Sequence, residues 1–406
     1  VSYPAKAAGL FSVSPIAMLD LSRLREQFTD FSSYQSRHQV LSAAKLKRAI
    51  EALQSCEKSW QDYQGTLTLG KPRRLVAGFR ESPAHRAPCG VRPTPVTVAA
   101  TDGSQIYPDR NIEPTFYLLN ISRIAFQYGT FERPIMESVP QLRYSTKDLE
   151  DHFDEIVESA TRDVVSAIRD EFELSELLSV ARAVRIDGRP IVAMVDGTLI
   201  RWMVRGLRNP ALEQRLIARY ARLLEQFREE AIPLCSYVSF PGGTEVVNLL
   251  RVVLGEGDPD TESDPETSLE GLVDRKIFEK VLGPRERSAV FESASHIQRE
   301  YESADRICFF YVNVPLPAGG CEVGRVEIPN WVAQDPQTLD LVHSVVMSEC
   351  EKGNGYPMIL SEAHEKAVVR NQEKDLFYHL VEKEMHTAGV PFSASRKSLS
   401  KRRPSV

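Results

Sequence analysis

The 406-residue chain reads as an α/β protein: a mixed sheet flanked by helices and preceded by an N-terminal helical arm. Two observations predict this class. β-Branched runs at Val96–Thr101, Ile191–Val195 and Leu234–Ser239 alternate with stretches whose apolar residues recur at helical spacing, and such alternation builds a sheet that is at least partly parallel. Two of these runs also break into Asp-Gly-Ser/Thr, at Asp102 and at Asp196. A carboxylate there is fixed by the sheet, and the glycine after it lets a ligand approach the backbone.

From about Leu19 to Tyr63, apolar residues recur at three and four, with Asp and Ser breaks, which predicts helices. Residues 65–94, rich in Gly, Pro and Arg, read as a loop crossing to the main domain. Val96–Thr101 is a strand, and Phe116–Tyr128 is aromatic and β-branched enough to be a strand in a hairpin. Residues 146–184 switch to helical period and predict a helical pair. A strand at Ile191–Val195, a helix at about Leu212–Arg228 and a strand at Leu234–Ser239 follow. Phe240-Pro241-Gly242-Gly243 is a loop before another helix start. Ile307–Val314 and Glu322–Ile328 flank a Pro/Gly turn and read as a hairpin. The N-terminal helices and this hairpin are candidate partner surfaces as well as candidate core. A helix from about Pro336 to Cys350 precedes Gly353-Asn354-Gly355-Tyr356-Pro357, which opens a long helix to about Met385.

Composition narrows the function classes. The 42% hydrophobic and 26% charged fractions are those of a globular protein. No run of about 18 apolar residues is present and the start of the chain lacks the pattern of a secretory signal, so a cytoplasmic location is expected, with no membrane contact. The six cysteines lie far apart without Cys-x-x-Cys, which argues against a zinc knuckle and against a disulfide framework. The net charge of −6 is unevenly spread. Glu256–Glu266 holds six acidic residues and no basic one, whereas Lys71–Arg92 and the stretch from Arg396 to Arg403 are basic. Local basic segments on an acidic protein suit phosphate contacts, although a solvated linker and tail would look the same.

Two carboxylates at neighbouring strand ends suit a hard divalent cation and phosphoester chemistry; each Asp-Gly taken alone is also an ordinary turn. The DGTL segment lacks the aspartyl nucleophile of haloacid-dehalogenase-like phosphatases, since Met194 stands there. No Walker loop, Gly-x-Gly-x-x-Gly or His-Glu-x-x-His occurs. Tyr356 precedes the last long helix and His364 lies about 80° around its axis, so both can border one pocket, His364 as metal ligand or acid and Tyr356 orienting phosphate.

The order DGS, a Glu-bearing helix, DGTL, YVSFPGGTEVVNLLR, GRVEIPNW and GYPMILSEAHEKAVVRNQE resembles the NurA nuclease family over about residues 95–400. The resemblance implies a ribonuclease H-like fold and a DNA nuclease with manganese as preferred cofactor and magnesium as a second metal. It further implies 5′→3′ exonuclease and single-strand endonuclease activity, a homodimer, and docking on a HerA-type hexameric translocase in DNA end resection and double-strand break repair. The family's strand-end aspartates fall on Asp102 and Asp196, and its Tyr and His on Tyr356 and His364. The helix carboxylate is open among Glu171, Glu173 and Glu176, with Glu173 favoured, then Glu176. The implied metal ligands are Asp102, Asp196, Glu173 and His364. Ser239-Phe240-Pro241 stands where some members carry a lysine, a phosphate contact that would pass to Arg251. Arg370, Lys397, Lys401, Arg402 and Arg403 complete the candidate DNA contacts. The expected organisation is a helical arm and basic linker at 1–94, the nuclease domain at 95–390 with an acidic insertion at about 255–270, and a basic tail at 391–406. A non-catalytic DNA-binding adaptor and a small-molecule phosphohydrolase are the alternatives.

Overall fold

The computed structural model describes residues 24–69, 74–109, 112–144, 161–201, 204, 205, 207, 210–256 and 268–394. The chain begins with α1 (Arg25–Leu69) and two short strands, β1 (Gly78–Phe79) and β2 (Arg86–Ala87). Next come β3 (Val96–Thr101), β4 (Gly103–Ile106), β5 (Ile112–Glu113), β6 (Tyr117–Tyr128) and β7 (Ile135–Arg143). Then α2 (Arg162–Val184), β8 (Ile191–Asp196), α3 (Pro210–Glu229) and β9 (Leu234–Val238) alternate. Helices α4 (Glu245–Val253) and α5 (Asp274–Val281) lead to β10 (Arg287–Ser288), β11 (Phe291–Glu292) and the hairpin of β12 (Ile307–Pro315) and β13 (Cys321–Pro329). Last are α6 (Asn330–Gln334), α7 (Pro336–Lys352), α8 (Met358–Ala367), α9 (Asn371–Thr387) and β14 (Ser393–Ala394).

At the centre, β3 pairs in parallel with β8 and β8 in parallel with β9, while β6 lies antiparallel to β3 and β7 antiparallel to β6. Beyond β9 the sheet continues antiparallel through β13, β12 and β11 to β1. The helical connections between β7 and β8 and between β8 and β9 are those that parallel neighbours require. This is the ribonuclease H-like mixed sheet that the resemblance implies, with helices on both sides.

β3 is buried along its whole length and β8 up to its final residue, as expected for central strands covered on both faces. Their side chains alternate between two cores. Ala99, Ala193 and Val195 face α2 and α3, against Leu174, Leu177 and Leu224. Val98, Ala100, Val192 and Met194 face α7 and α8, against Val342, Val346 and Leu360. A third core packs α1, through Ala49, Ala52, Leu53 and Cys56, against α4, α5 and the β11–β12 side of the sheet. Thr161 caps α2 and Asp335 caps α7, each side chain accepting from a backbone N–H in the first turn.

Several expectations are corrected. The N-terminal helices are one continuous α1. Asp30, Ser32, Ser33, Ser42, Ser55 and Asp62 are exposed, and the Ser32 hydroxyl donates back to the Thr29 carbonyl instead of breaking the helix. The 65–94 loop contains the end of α1 and two short strands that join the sheet through β11 and β10. The β12–β13 hairpin is interior to the sheet and largely buried, so it is core and not a partner surface. The final long helix is two, α8 and α9. The Ala367 carbonyl, which a continuing helix would give to an N–H four residues on, instead accepts from Ser104 Oγ at 2.5 Å and Asn120 Nδ2 at 2.8 Å. The first half of the expected helical pair at 146–184, most of the acidic insertion and the basic tail beyond Ala394 lie outside the described residues. Among the described residues no helix is long and apolar enough to cross a membrane.

Phe310 of β12 is fully buried, edge-on to the His343 ring of α7. Phe310→Ala is expected to cost about 3–5 kcal/mol, read as a lower urea midpoint.

Candidate active site

The β3–β8 register pairs Thr101 with Val195, so the next residues, Asp102 and Asp196, sit side by side at the carboxyl ends of two parallel strands about 5 Å apart. Past Asp102 the chain stays on β6. The Asp102 N–H donates to Ser122 Oγ at 3.0 Å and the Ser122 N–H donates to the Asp102 carbonyl at 2.8 Å. One carboxylate oxygen of Asp102 accepts from the Gly103 N–H at 2.8 Å. After Asp196, Gly197 turns the chain with φ of 81°, a region that only glycine enters freely.

Helix α8 brings the aromatic partners. His364 Nδ1 lies 2.8 Å from Asp102 Oδ2, and the Tyr356 phenol stands close enough to Asp196 to feel its charge. Burial, then the Asp196 charge, holds the Tyr356 phenol protonated far above its ordinary range. The Tyr356 ring meets Tyr237 edge-on at 5.7 Å. Tyr237, the register partner of Asp196, lies flat over Gly324, where any side chain would collide with it. Each strand-end carboxylate therefore has one ring partner from the same short stretch of chain.

On the opposite face α2 supplies Glu173. The Thr101 hydroxyl donates to the Glu173 carbonyl at 2.9 Å, and a methyl on Gly103 would stand 2.5 Å from Glu173 Oε1. The missing side chain at Gly103 is what lets the carboxyl approach β4. Arg169 Nε lies 3.0 Å from Glu173 Oε1 without hydrogen-bond geometry, and both atoms are buried without a hydrogen-bond partner. Burial, followed by the neighbouring Asp170 charge, pushes the Glu173 acid up to about 8. Arg169 also bonds Asp170 and Gln105, and Arg201 reaches Asp170 at 3.3 Å while stacking over Tyr220. The other two helix candidates are engaged elsewhere: Glu176 with Arg123 of β6 and Glu171 with Arg219 of α3.

The oxygen donors of Asp102, Asp196 and Glu173 with the imidazole of His364 are chemically suited to Mn²⁺ or Mg²⁺. Glu173 Oε1 is buried without a hydrogen bond and faces the Arg169 guanidinium at 3.0 Å, so a metal ion would take it from that ion pair. They form an open set and not a preformed cage: among the described residues no group of three or more His, Cys, Asp and Glu side chains is arranged to hold a metal.

The candidate phosphate contacts divide. Arg251, in the last turn of α4, is 1% exposed and paired with Glu256 at 3.2 Å, so it is enclosed and not presented to DNA. Arg370 is exposed at the start of α9, near Glu365 at 3.5 Å. Lys397, Lys401, Arg402 and Arg403 lie outside the described residues.

The sequence reading missed a buried relay behind Asp196. Glu327 of β13 accepts from Thr198 Oγ1 at 2.7 Å and from the Leu199 N–H at 2.8 Å, which fixes the loop after Asp196. Arg325 pairs with Glu327 at 2.9 Å and with Glu245 at 2.7 Å, and its guanidinium stacks over Phe309. The signal was visible as two charges inside the apolar run Val323–Ile328. Ser104 and Asn120, which hold the end of α8, gave no signal.

The NurA domain model matches residues 96–369, most of the chain and the whole of this site, and the chain belongs to the NurA family, a nuclease family that acts on DNA. No curated protein matches the chain. A similar solved structure is the crystal structure of LC9-RNase H1, a type 1 RNase H with the type 2 active-site motif, at 12% identity and a TM-score of 0.21, covering 43% of this chain and 78% of that one.

Two outcomes follow from the buried charges. The folded Glu173 acid keeps its proton up to about pH 8 while the unfolded one releases it near 4.5. Its contribution to stability is therefore fully present below 4.5 and is lost as pH rises through 8. Urea unfolding of metal-free protein should show stability falling over that window, and Glu173→Gln should flatten the slope. Arg325→Met leaves two buried carboxylates without their cation and is expected to cost about 3–5 kcal/mol in the same assay.

Proposed function

We propose that the protein is a divalent-metal-dependent DNA nuclease that hydrolyses phosphodiester bonds at the paired ends of β3 and β8. The observation that carries this reading is the register that sets Asp102 beside Asp196, each with one polar ring partner, His364 and Tyr356. A protein that only bound DNA would gain nothing from carboxylates facing phosphate.

Asp102, Asp196 and Glu173 would hold Mn²⁺, or Mg²⁺ in its place, with His364 as a further ligand. When bound, the metal supplies a hydroxide near neutral pH and stabilises charge on the departing oxygen. The protein's own groups do the rest. The Tyr356 phenol, kept protonated, donates toward the scissile phosphate. With Nδ1 turned to Asp102, His364 has Nε2 for one of two roles, as that further ligand or, where the carboxylates alone hold the metal, as the acid that protonates the leaving 3′-oxygen. Arg370 and the basic residues Lys397, Lys401, Arg402 and Arg403 contact phosphates and give little base readout.

Family membership supports the finer reading: 5′→3′ exonuclease action with single-strand endonuclease activity, a homodimer, and work with a HerA-type hexameric translocase in end resection. That assignment belongs to the cytoplasm.

The test is digestion of 5′- and 3′-labelled single- and double-stranded DNA in Mn²⁺, Mg²⁺ or EDTA. Cleavage is expected in metal only, and Asp102→Asn or Asp196→Asn should lower it by about a thousandfold or more. Absence of cleavage by the wild type in either metal sinks the reading. Mn²⁺ should also raise the melting temperature of the wild type and leave the Asp102→Asn/Asp196→Asn double variant unmoved.

A further inference from the structure

We propose that Phe240 is a stacking platform for an unpaired nucleobase of the DNA strand entering the site; this inference rests on the nuclease reading and names the form of its substrate. Phe240 follows β9, three residues beyond Tyr237, the register partner of Asp196. Its side chain is largely free of the core, with the residue 66% exposed. Its backbone has φ of 46°, a left-handed conformation that a bulky aromatic residue enters only at a cost. The fold thus keeps an exposed ring at a strained position three residues past the register partner of Asp196, where glycine would be free of strain.

The ring is also braced. The Arg275 guanidinium lies 3.5 Å from its centroid on one face. Arg275 is itself nearly buried and paired with Glu279 at 3.1 Å. It stands at the start of α5, which Asp274 ties to α4 by accepting from the Val246 and Val247 N–H groups at 3.1 and 2.7 Å and from the Tyr311 hydroxyl at 2.8 Å. One face of the ring is therefore covered by a rigid cation. Pro241, next in the chain, lines a cavity of about 540 Å³ together with Gly242, Gly243, Arg325 and Thr198, the second residue after Asp196. Val238 and Pro241, which flank Phe240 in the chain, thus line a cavity that extends to the loop following Asp196.

A flat, exposed aromatic face held from behind by a guanidinium matches the π-face of a nucleobase, and every base has one, so the contact is independent of sequence. Duplex DNA keeps its bases stacked inside, so the platform reads only unpaired strands.

The experiment measures binding of labelled oligothymidylate and of a blunt duplex in EDTA, using wild type, Phe240→Ala, Phe240→Leu and Phe240→Trp. Loss of the ring in the Ala and Leu variants is expected to weaken single-strand binding by about tenfold or more, with duplex binding unchanged, while Trp retains it. An oligonucleotide carrying 2-aminopurine should be quenched by the wild type and the Trp variant and not by Ala. Phe240→Gly, which relieves the strained φ, should melt higher than wild type while losing single-strand affinity. Equal single-strand affinity across all variants, or equal losses on duplex, overturns the platform. Parallel cleavage assays in Mn²⁺ separate the two readings. Wild type that cleaves, with Phe240→Ala binding single strands normally, sinks the platform alone. Wild type that binds single strands through Phe240 and never cleaves sinks the nuclease reading and keeps the platform; wild type that neither binds nor cleaves sinks both.

Discussion

The parallel pairing of β3 with β8 is the constraint on which the rest depends. It aligns Thr101 with Val195 and so delivers Asp102 and Asp196 as neighbours at the point where both strands leave the sheet. Side chains alternate along a strand, so a slip of one residue would turn Val192 and Met194 away from one core and Ala193 and Val195 away from the other. Both packed faces resist that slip. The geometry of the two carboxylates is thus held by the full hydrophobic contents of the domain and not by local contacts alone.

Around this pair the protein keeps more charge buried than stability requires. Arg169, Asp170, Glu173 and Arg201 form one group behind Asp102, and Glu245, Arg325 and Glu327 form another behind Asp196. Apolar residues of the same volume would hold the fold as well or better. What the ion pairs provide is direction: Glu327 spends one oxygen on Arg325 and the other on the Thr198 hydroxyl and the Leu199 N–H, so the loop after Asp196 has one position. A site for a small hard cation depends on such placement more than on affinity between the chains of charge.

How much of this was legible in the sequence depends on the range of the interactions. The central strands were plain because β3, β8 and β9 are apolar runs whose character is set by burial on both faces. Asp102 and Asp196 were plain because a carboxylate and glycine ending such a run is a local pattern. β7 was missed because IMESVPQLR is a half-exposed outer strand with weak alternation and a proline. The break between α8 and α9 was missed because no proline or glycine marks it; it comes from Ser104 and Asn120, more than two hundred residues earlier in the chain. Arg251 was misplaced for the same reason, since a lone arginine after an apolar stretch shows nothing of Glu256 folding back over it. The preference for Glu173 over Glu176 and Glu171 rested on helix geometry, and only the positions of Arg123 and Arg219 show where the other two point.

The split origin of the site has a consequence in time. Strands β3 and β8 are made early, yet the rings that complete the carboxylates, Tyr356 and His364, come from α8 and its entry turn, about one hundred and sixty residues after Asp196. A chain emerging from the ribosome at about 5–20 residues per second carries its paired aspartates for many seconds before either ring exists. The β9–β13 side of the sheet, which braces Asp196 through Glu327, is also unmade for most of that interval. Synthesis therefore delivers the acidic centre first and its working partners last, so a nascent or prematurely ended chain holds the carboxylates without the rings beside them.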